Sequence, residues 1–239
     1  MAGMDLSQVA EGLAARRPAS GTYVIGVTGA VAAGKSVFAQ ALAEHLAAGG
    51  GRVELVGADG FLFSNARLAE LELSNQKGFP ASYDHAALRA ALEGVREGPT
   101  VFPGYSHVTY DVDAGLARTL DRPDVLVIEG LNLTPTHGPS LIDSLIYLDA
   151  AESDLETWYV ARFLALWAAA EHDPASFYAR FRHMSRAETE ALARTVWEKV
   201  NLKNLRDHIL PARAQADLVV RKGPGHEILA VEMRAGSIA

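Results

Sequence analysis

The chain has 239 residues, of which 49% are hydrophobic, enough to bury one sizeable core. Its net charge of −7 and lack of a long basic stripe argue against nucleic acid as a partner, and the absence of cysteine excludes disulfides and thiol chemistry. No apolar run is long enough for a signal peptide or a membrane span, which favours a cytoplasmic protein without a membrane partner.

The first predicted elements surround a phosphate-binding motif. An amphipathic helix is predicted over 4–17 and a short buried strand over 23–27. The segment 29–36, Gly-Ala-Val-Ala-Ala-Gly-Lys-Ser, then matches the Walker A pattern, and a helical pattern follows over 37–46. A glycine-rich turn that opens a helix directs backbone N–H groups at phosphate oxygens, while Lys35 reaches the β- and γ-phosphates and Ser36 ligates Mg²⁺. The motif therefore predicts a nucleoside triphosphate site.

Strands and helices alternate through the rest of the chain. The predicted strands are 53–56, 124–130, 141–148, 218–220 and 228–231, and the predicted helices are 67–72, 84–96 and a largely helical region, 153–205, that is interrupted near Asp173-Pro174. This order predicts an α/β fold of the three-layer P-loop NTPase type, with a mostly parallel central sheet and a helical lid. No linker or internal repeat divides it, so 1–239 is interpreted as one domain with 153–205 on the acceptor side.

Two carboxylates follow predicted strands of this sheet. Asp59 comes after the second strand and Glu129 ends the third, and the carboxyl ends of parallel strands share one crevice with the Walker loop. Glu129 resembles a Walker B ligand of Mg²⁺, and Asp59 is placed to accept a proton from an attacking hydroxyl. Asp-Gly is also a common turn, so Asp59 alone would indicate only a surface loop; the Walker loop favours the functional interpretation.

Six strings in collinear order carry a more specific resemblance. They are Val-Gly-Ala-Asp-Gly-Phe at 56–61, Lys-Gly-Phe-Pro-Ala-Ser-Tyr-Asp at 77–84, Tyr-Ser-His-Val-Thr-Tyr-Asp at 105–111, Ile-Glu-Gly-Leu-Asn at 128–132, Thr-Trp-Tyr-Val-Ala-Arg-Phe at 157–163 and Ile-Leu-Pro-Ala-Arg at 209–213. With them the chain resembles bacterial type I pantothenate kinase, which is grouped with phosphoribulokinase and uridine kinase among P-loop kinases. The resemblance extends from about residue 23 to the C-terminus.

The resemblance implies a reaction and a set of roles. It implies transfer of the γ-phosphate of ATP, with Mg²⁺, to the primary hydroxyl of pantothenate, the first step of coenzyme A synthesis, by a homodimer. Asp59 would be the base, and Arg162 would contact the acceptor or stabilise charge on the transferring phosphoryl group. The implied acceptor residues are Asp59, Tyr105, His107, Tyr159, Arg162 and Asn201. The implied phosphate-loop residues are Gly29, Ala30, Val31, Ala32, Ala33, Gly34, Lys35, Ser36 and Val37. Lys222 and His226 would lie beside the adenine. The implied metal ligands are Ser36 and Glu129.

Three of these acceptor residues also have a structural alternative. Tyr159 could belong to the core face of a helix, Arg162 could be a solvated helix charge, and His107 could be a core histidine. The aromatic segment 177–181 is expected to form a lid over the acceptor pocket, although its spacing also fits plain core packing.

Two departures from the family pattern bear on regulation and on the acceptor. Gln40 stands where members regulated by coenzyme A have an arginine, and Leu166 replaces an aromatic residue on the lid side of the acyl pocket. Gln40 predicts weak or absent inhibition by coenzyme A.

Two other functions remain open from the sequence. One is a related kinase with another small hydroxyl acceptor, such as a nucleoside, a sugar or a sugar acid, because Lys35, Asp59 and Glu129 would serve any such acceptor. The other is a nucleotide-dependent switch with little turnover. The Asn-Lys-x-Asp and Asp-x-x-Gly strings of GTPase switches are absent, which makes a GTPase a poor interpretation.

Overall fold

The computed structural model describes residues 5–133 and 141–234. Its strands are β1 (Tyr23–Gly29), β2 (Val53–Gly57), β3 (Pro99–Ser106), β4 (Asp111–Asp121), β5 (Val125–Glu129), β6 (Ser144–Asp149), β7 (Leu218–Lys222) and β8 (Ile228–Met233). Its α-helices are α1 (Leu6–Ala14), α2 (Lys35–Ala48), α3 (Asn65–Glu70), α4 (His85–Glu97), α5 (Glu152–Ala169) and α6 (Arg186–Val196). A helical run with π-type turns at Trp197–Asn201 and Leu205–Ile209 continues α6 as far as a 3-10 segment at Leu210–Gln215.

A six-stranded sheet in the order β2-β5-β1-β6-β7-β8 forms the centre of the fold. Every neighbouring pair is parallel except β7 and β8, which confirms the predicted mostly parallel α/β architecture. All seven residues of β1 are buried, and the apolar runs of β5 and β6 are buried on both faces as well. Continuous apolar strands of this kind are typical of a sheet that is covered by helices on both sides.

The strand registers bring the predicted crevice together. Glu129, the last residue of β5, lies level with Val27 in β1 and with Gly57 in β2. The Walker loop leaves β1 two residues later, and Asp59 follows β2 by two residues. The carboxyl edge of the sheet therefore holds all three features side by side.

The hairpin of β3 and β4 is absent from the sequence-based prediction. It pairs antiparallel outside the main sheet, with an irregularity between Phe102 and Gly104. Most of β4 is exposed and its polar and apolar residues are mixed, so neither a buried apolar run nor a clean alternation marks it. The hairpin packs against the turn that carries Asp59, where a Cβ on Gly60 would lie only 2.1 Å from the carbonyl oxygen of Pro103.

Most predicted boundaries differ from the structure by one to three residues, and two of the differences are informative. The strand predicted from residue 141 begins at Ser144, because Asp143 forms a turn in which its carboxylate accepts from the Val24 N–H at 2.7 Å and from Arg96 at 2.9 Å. The helical region predicted to stop at 205 continues to Gln215. The expected break at Asp173-Pro174 is present between α5 and the 3-10 segment Phe177–Phe181.

The buried side chains form two clusters. The larger one surrounds the central sheet. The smaller one lies between α5, the 3-10 segment Phe177–Phe181 and α6. It contains Val160, Phe163, Leu164, Ala170, Tyr178 and Ala193. Within 5–133 and 141–234, no helix combines the length and apolar character that a membrane crossing requires.

Candidate functional site

The Walker loop connects β1 to the first turn of α2. Gly29 and Gly34 have φ angles of +146° and +81°, which strongly favour glycine, and Ala32 is also left-handed at +64°. A Cβ on Gly29 would lie 2.6 Å from the carbonyl oxygen of Leu148. No side chain caps the N-terminus of α2, so the first backbone N–H groups of this helix remain open to an anion.

Lys35 points into this loop. Its side chain is only 9% exposed, and Nζ donates to the carbonyl oxygen of Ala30 at 2.8 Å. Burial lowers the pKa of Lys35, whereas Glu129 and Asp59 raise it and Arg162 lowers it further. The pKa of the Walker lysine therefore depends on Glu129, Asp59 and Arg162, which the sequence analysis had all selected.

Ser36 and Glu129 form the predicted metal pair. The Ser36 hydroxyl donates to Glu129 Oε1 at 2.9 Å, so a hydroxyl and a carboxylate oxygen converge on one point beside the loop. Burial raises the pKa of Glu129, Asp59 raises it as well, and Lys35, Ser36 and His107 lower it. Mg²⁺ takes one or two protein oxygens together with phosphate oxygens and water, and this donor pair fits that preference.

Asp59 lies in the 3-10 turn Ala58–Phe61 that follows β2. The Tyr83 hydroxyl donates to its Oδ1 at 3.1 Å, and burial holds the pKa of Tyr83 well above 10, so Tyr83 stays a neutral donor. Oδ2 has no hydrogen-bond partner within the described part of the chain. One carboxylate oxygen of Asp59 is thus fixed and the other is available to a ligand.

Lys77 is a cation that the sequence pattern does not single out, although it begins one of the resemblance strings. Its Nζ donates at 2.6 Å to both Asn65 Oδ1 and the Tyr110 carbonyl, and lies 5.1 and 4.9 Å from the ring centres of Tyr105 and Tyr110. Burial lowers the pKa of Lys77, while Asp111 and Asp59 raise it. The signal for this group lies in contacts among four separate segments, which sequence spacing does not reveal.

Tyr105 and His107 come from the end of β3 and the hairpin turn. Their ring centres are 5.1 Å apart, and His107 is one of the groups that lower the pKa of Glu129. His107 is exposed, so the alternative that it is a core histidine is wrong. The hairpin thus brings these two rings to the carboxyl edge of the sheet.

Helix α5 and the first π-type turn supply Tyr159, Arg162 and Asn201. Burial raises the pKa of Tyr159 to about 12, and the neighbouring Asn201 side chain and Arg162 lower it. Asn201 Nδ2 is buried without a hydrogen-bond partner. Such π-type turns are frequent at functional sites, and a buried unpaired donor calls for an acceptor atom from a ligand or water.

Two further features are Arg162 on α5 and the aromatic segment Phe177–Phe181. Arg162 is exposed, has no ion pair within the described residues, and lowers the pKa of Lys35 and of Tyr159 alike. The segment Phe177–Phe181, which is expected to form a lid, contacts the hairpin turn: the Phe177 N–H donates to the Val108 carbonyl at 2.8 Å, and the rings of Phe177 and Tyr110 are 4.7 Å apart. Its Tyr178 is buried in the smaller cluster, so the segment also has the core packing that its spacing allowed.

Lys222 and His226 lie against the Walker loop. Lys222 Nζ is 2.9 Å from the Ala33 carbonyl oxygen and 3.2 Å from His226 Nδ1, and the Trp158 ring stacks on His226 at 3.8 Å. Of the other residues selected from the sequence, Val37 is 77% exposed at the start of α2. Gln40 is exposed and donates to Glu44 Oε1 at 2.8 Å, and Leu166 packs against the smaller cluster.

A phosphate cradle at the carboxyl edge of a parallel sheet, facing a free carboxylate oxygen, defines the class of P-loop kinases. The sequence profile of the phosphoribulokinase/uridine kinase family matches residues 24–162. The chain belongs to the phosphoribulokinase/uridine kinase family.

Relatives with assigned names show which members of this family the chain is similar to. A protein named pantothenate kinase from Rhizobium meliloti (strain 1021) is 44% identical over 227 residues, which cover 89% of this chain and 69% of the relative. Another of that name from Sorangium cellulosum (strain So ce56) is 44% identical over 232 residues, covering 92% and 73%. A crystal structure from Silicibacter sp. TM1040, described as a candidate fructose transport system kinase, aligns with a TM-score of 0.74 at 25% identity, over 91% of this chain and 99% of that one.

Proposed function

We propose that this protein is an ATP- and Mg²⁺-dependent kinase that phosphorylates the primary hydroxyl of pantothenate to 4'-phosphopantothenate, at the first step of coenzyme A synthesis. Relatives at 42–44% identity over about nine-tenths of the chain carry the name pantothenate kinase and support this assignment. The geometric observation that carries it is the free oxygen of Asp59, a carboxylate that acts on the buried Walker lysine and on the pKa of Tyr83, Tyr105 and Tyr110.

On the nucleotide side, the loop from Gly29 to Val37 would hold the triphosphate, with Lys35 at the β- and γ-phosphates. Ser36 and Glu129 would hold Mg²⁺, which neutralises charge on the phosphates when bound. Arg162 would face the transferring group, since its unpaired guanidinium influences Lys35.

On the acceptor side, Asp59 would take the proton of the attacking hydroxyl as the new bond to phosphorus forms. Pantothenate has one carboxylate, an amide and two hydroxyls, so its pocket needs hydrogen-bonding groups between apolar walls. Neutral contacts would come from Tyr105, His107, Tyr159 and Asn201. Lys77, between two tyrosine rings, would add a cation suited to the carboxylate.

The remaining expectations belong to the same proposal. They are one kinase domain over 1–239 with the helical region 153–205 on the acceptor side, a homodimeric and cytoplasmic enzyme, and a small-molecule substrate without nucleic-acid or membrane partners.

A coupled assay of ADP formation tests the proposal across a panel of acceptors: pantothenate, fructose, D-glycerate and uridine. We expect turnover that depends on pantothenate, and its loss in Asp59→Asn. The structural neighbour described as a candidate fructose transport system kinase makes another acceptor the main competitor, and turnover with fructose but not pantothenate would support it. Nucleotide binding without acceptor-dependent turnover would indicate a switch.

A further inference from the structure

The ammonium group of Lys222 is committed to contacts within the protein. The side chain is 8% exposed, and two of its three donors face the Ala33 carbonyl oxygen at 2.9 Å and His226 Nδ1 at 3.2 Å. The Trp158 ring centre lies 5.7 Å from Nζ. Burial lowers the pKa of this lysine, as expected for a cation enclosed by protein. Little of this group is left to contact a nucleotide base.

The hydrogen bond to the Ala33 carbonyl also orients the N–H of the same peptide group, which belongs to Gly34. The C=O and N–H of a trans peptide point in opposite directions, and the described chain contains no cis peptide. When Lys222 holds the Ala33 carbonyl on its own side of the loop, the N–H of Gly34 is directed to the opposite side. Gly34 precedes the first turn of α2, where backbone N–H groups form the anion cradle.

The space between Lys222 and the loop is closed. A Cβ on Gly34 would lie 2.8 Å from Lys222 Nζ and 3.7 Å from His226 Nδ1. The lysine and the loop are therefore in direct contact. Glycine is favoured at position 34 for two reasons: its φ of +81° is left-handed, and a side chain there would collide with Lys222.

A second layer of contacts holds the lysine. To accept from Lys222, His226 must be neutral at Nδ1, with its proton on Nε2. Its ring stacks on Trp158 at 3.8 Å with an angle of 23° between the planes, and Trp158 Nε1 donates to the Pro224 carbonyl at 2.9 Å. Trp158 thus joins the β7–β8 turn to α5, the helix that carries Tyr159 and Arg162.

We propose that Lys222 is a positioning residue for the phosphate cradle: through the Ala33 carbonyl it orients the Gly34 N–H toward the triphosphate, and His226 and Trp158 hold it in place. This differs from the role beside the adenine that the resemblance implies. The inference rests on the proposed function only in requiring that a triphosphate binds at the Walker loop.

Binding measurements without acceptor separate the two roles. Lys222→Met keeps the length of the side chain and removes its donors, and its affinity for ATP, GTP and inorganic tripolyphosphate is measured by calorimetry. We expect a loss of roughly tenfold or more for all three ligands, because a charge-assisted contact that orders the cradle is removed, with an unchanged ATP-to-GTP ratio. The exposed Lys199→Met is the matched control for lost charge and should bind all three like the wild type.

Two variants of His226 keep the test decisive if Lys222→Met folds poorly. His226→Asn places an acceptor oxygen near the position of Nδ1 and tolerates the left-handed φ of +64°, so it should retain most of the affinity for tripolyphosphate. His226→Phe keeps an aromatic ring for Trp158 but removes the acceptor, and should lose affinity for all three ligands. Thermal unfolding curves of each variant verify that it is folded.

The outcomes distinguish this inference from the proposed function. If Lys222→Met lost affinity for ATP but bound tripolyphosphate normally, the positioning role would be overturned and a contact between Lys222 and the adenine would be supported. Wild-type protein that binds none of the three ligands would instead overturn the proposed function.

Discussion

The proposed nucleotide side and the proposed acceptor side of this crevice are built in different ways. The nucleotide side is a continuous stretch of backbone, in which Gly29 and Gly34 adopt left-handed angles and a helix N-terminus is left uncapped. The proposed acceptor side is assembled from side chains on the β3–β4 hairpin, α5, the segment Phe177–Phe181 and a π-type turn, and it includes the unpaired donor of Asn201. Backbone groups recognise any triphosphate, whereas specificity for the acceptor depends on side chains and on how their elements pack.

The first prediction concerns the base, where the two sides meet, and has the largest expected effect. Asp59→Asn should lower turnover by roughly 10² or more while leaving ATP affinity nearly unchanged, because a positioned base is lost but the cradle remains. Steady-state rates and ATP binding by calorimetry measure both quantities. Tyr83→Phe is the matched control: it removes the hydrogen bond to Asp59 Oδ1 but keeps the base, so its effect should be much smaller. Near wild-type turnover in Asp59→Asn would show that the base lies elsewhere.

The second prediction tests whether the acceptor side is separable from the nucleotide side. Tyr159→Phe and Asn201→Ala should raise the KM for pantothenate by about 5- to 100-fold with little change in ATP affinity, since a buried polar group left unpaired costs about 1–3 kcal/mol. Tyr23→Phe removes a buried hydroxyl bonded to Ser144 at the opposite edge of the sheet and should leave both KM values unchanged. A defect in ATP binding from either acceptor-side change would mean that these residues only support packing.

The third prediction uses pH on the nucleotide side. Burial and Lys222 lower the pKa of His226 below 6.5, whereas Glu227 raises it; Trp158 from α5 adds no charge. His226 is therefore neutral at pH 7 and accepts from Lys222. As the pH falls below 6.5 and through the lowered pKa, the proton takes the Nδ1 lone pair and places two cations side by side. The KM for ATP should be flat from pH 7 to 8 and rise several-fold at lower pH.

The control for this pH effect is His226→Asn, whose amide oxygen cannot titrate in this range. Its KM for ATP should rise less on acidification than that of the wild type. If both proteins showed the same pH profile, another group would be responsible, and the link from His226 to the cradle would be rejected.

The smallest expected effect concerns regulation. Gln40 is neutral and bonded to Glu44 on the exposed face of α2, so it offers phosphates of coenzyme A only ordinary hydrogen bonds. We expect weak or no inhibition of the wild type by coenzyme A, and stronger inhibition in Gln40→Arg, with Gln40→Met as a neutral control of similar length. Inhibition curves at fixed ATP measure this; potent inhibition of the wild type, competitive with ATP, would contradict the argument.

The same difference between the two sides explains what could be predicted. The Walker loop is one contiguous string between a buried strand and a helix, and Asp59 and Glu129 each follow an apolar strand, so local pattern locates them. The β3–β4 hairpin carries a largely exposed strand in which polar and apolar residues are mixed without clear periodicity, so local pattern does not predict it. Lys77 is not identified from local pattern because its partners Asn65, Tyr105 and Tyr110 come from other segments.

The sequence by itself determined the parallel α/β sheet and the phosphate cradle, because buried apolar strands and glycine-rich turns act through short-range sterics and hydrogen bonding. The ordered strings also indicated the proposed acceptor residues, apart from Asn201, which lies outside all six strings. Only the tertiary structure decided that His107 is exposed near Glu129, that Asn201 Nδ2 is left unpaired and that Lys222 holds the Ala33 carbonyl. Lys222 and Ala33 are 189 positions apart, and contacts of that separation depend on how whole elements pack.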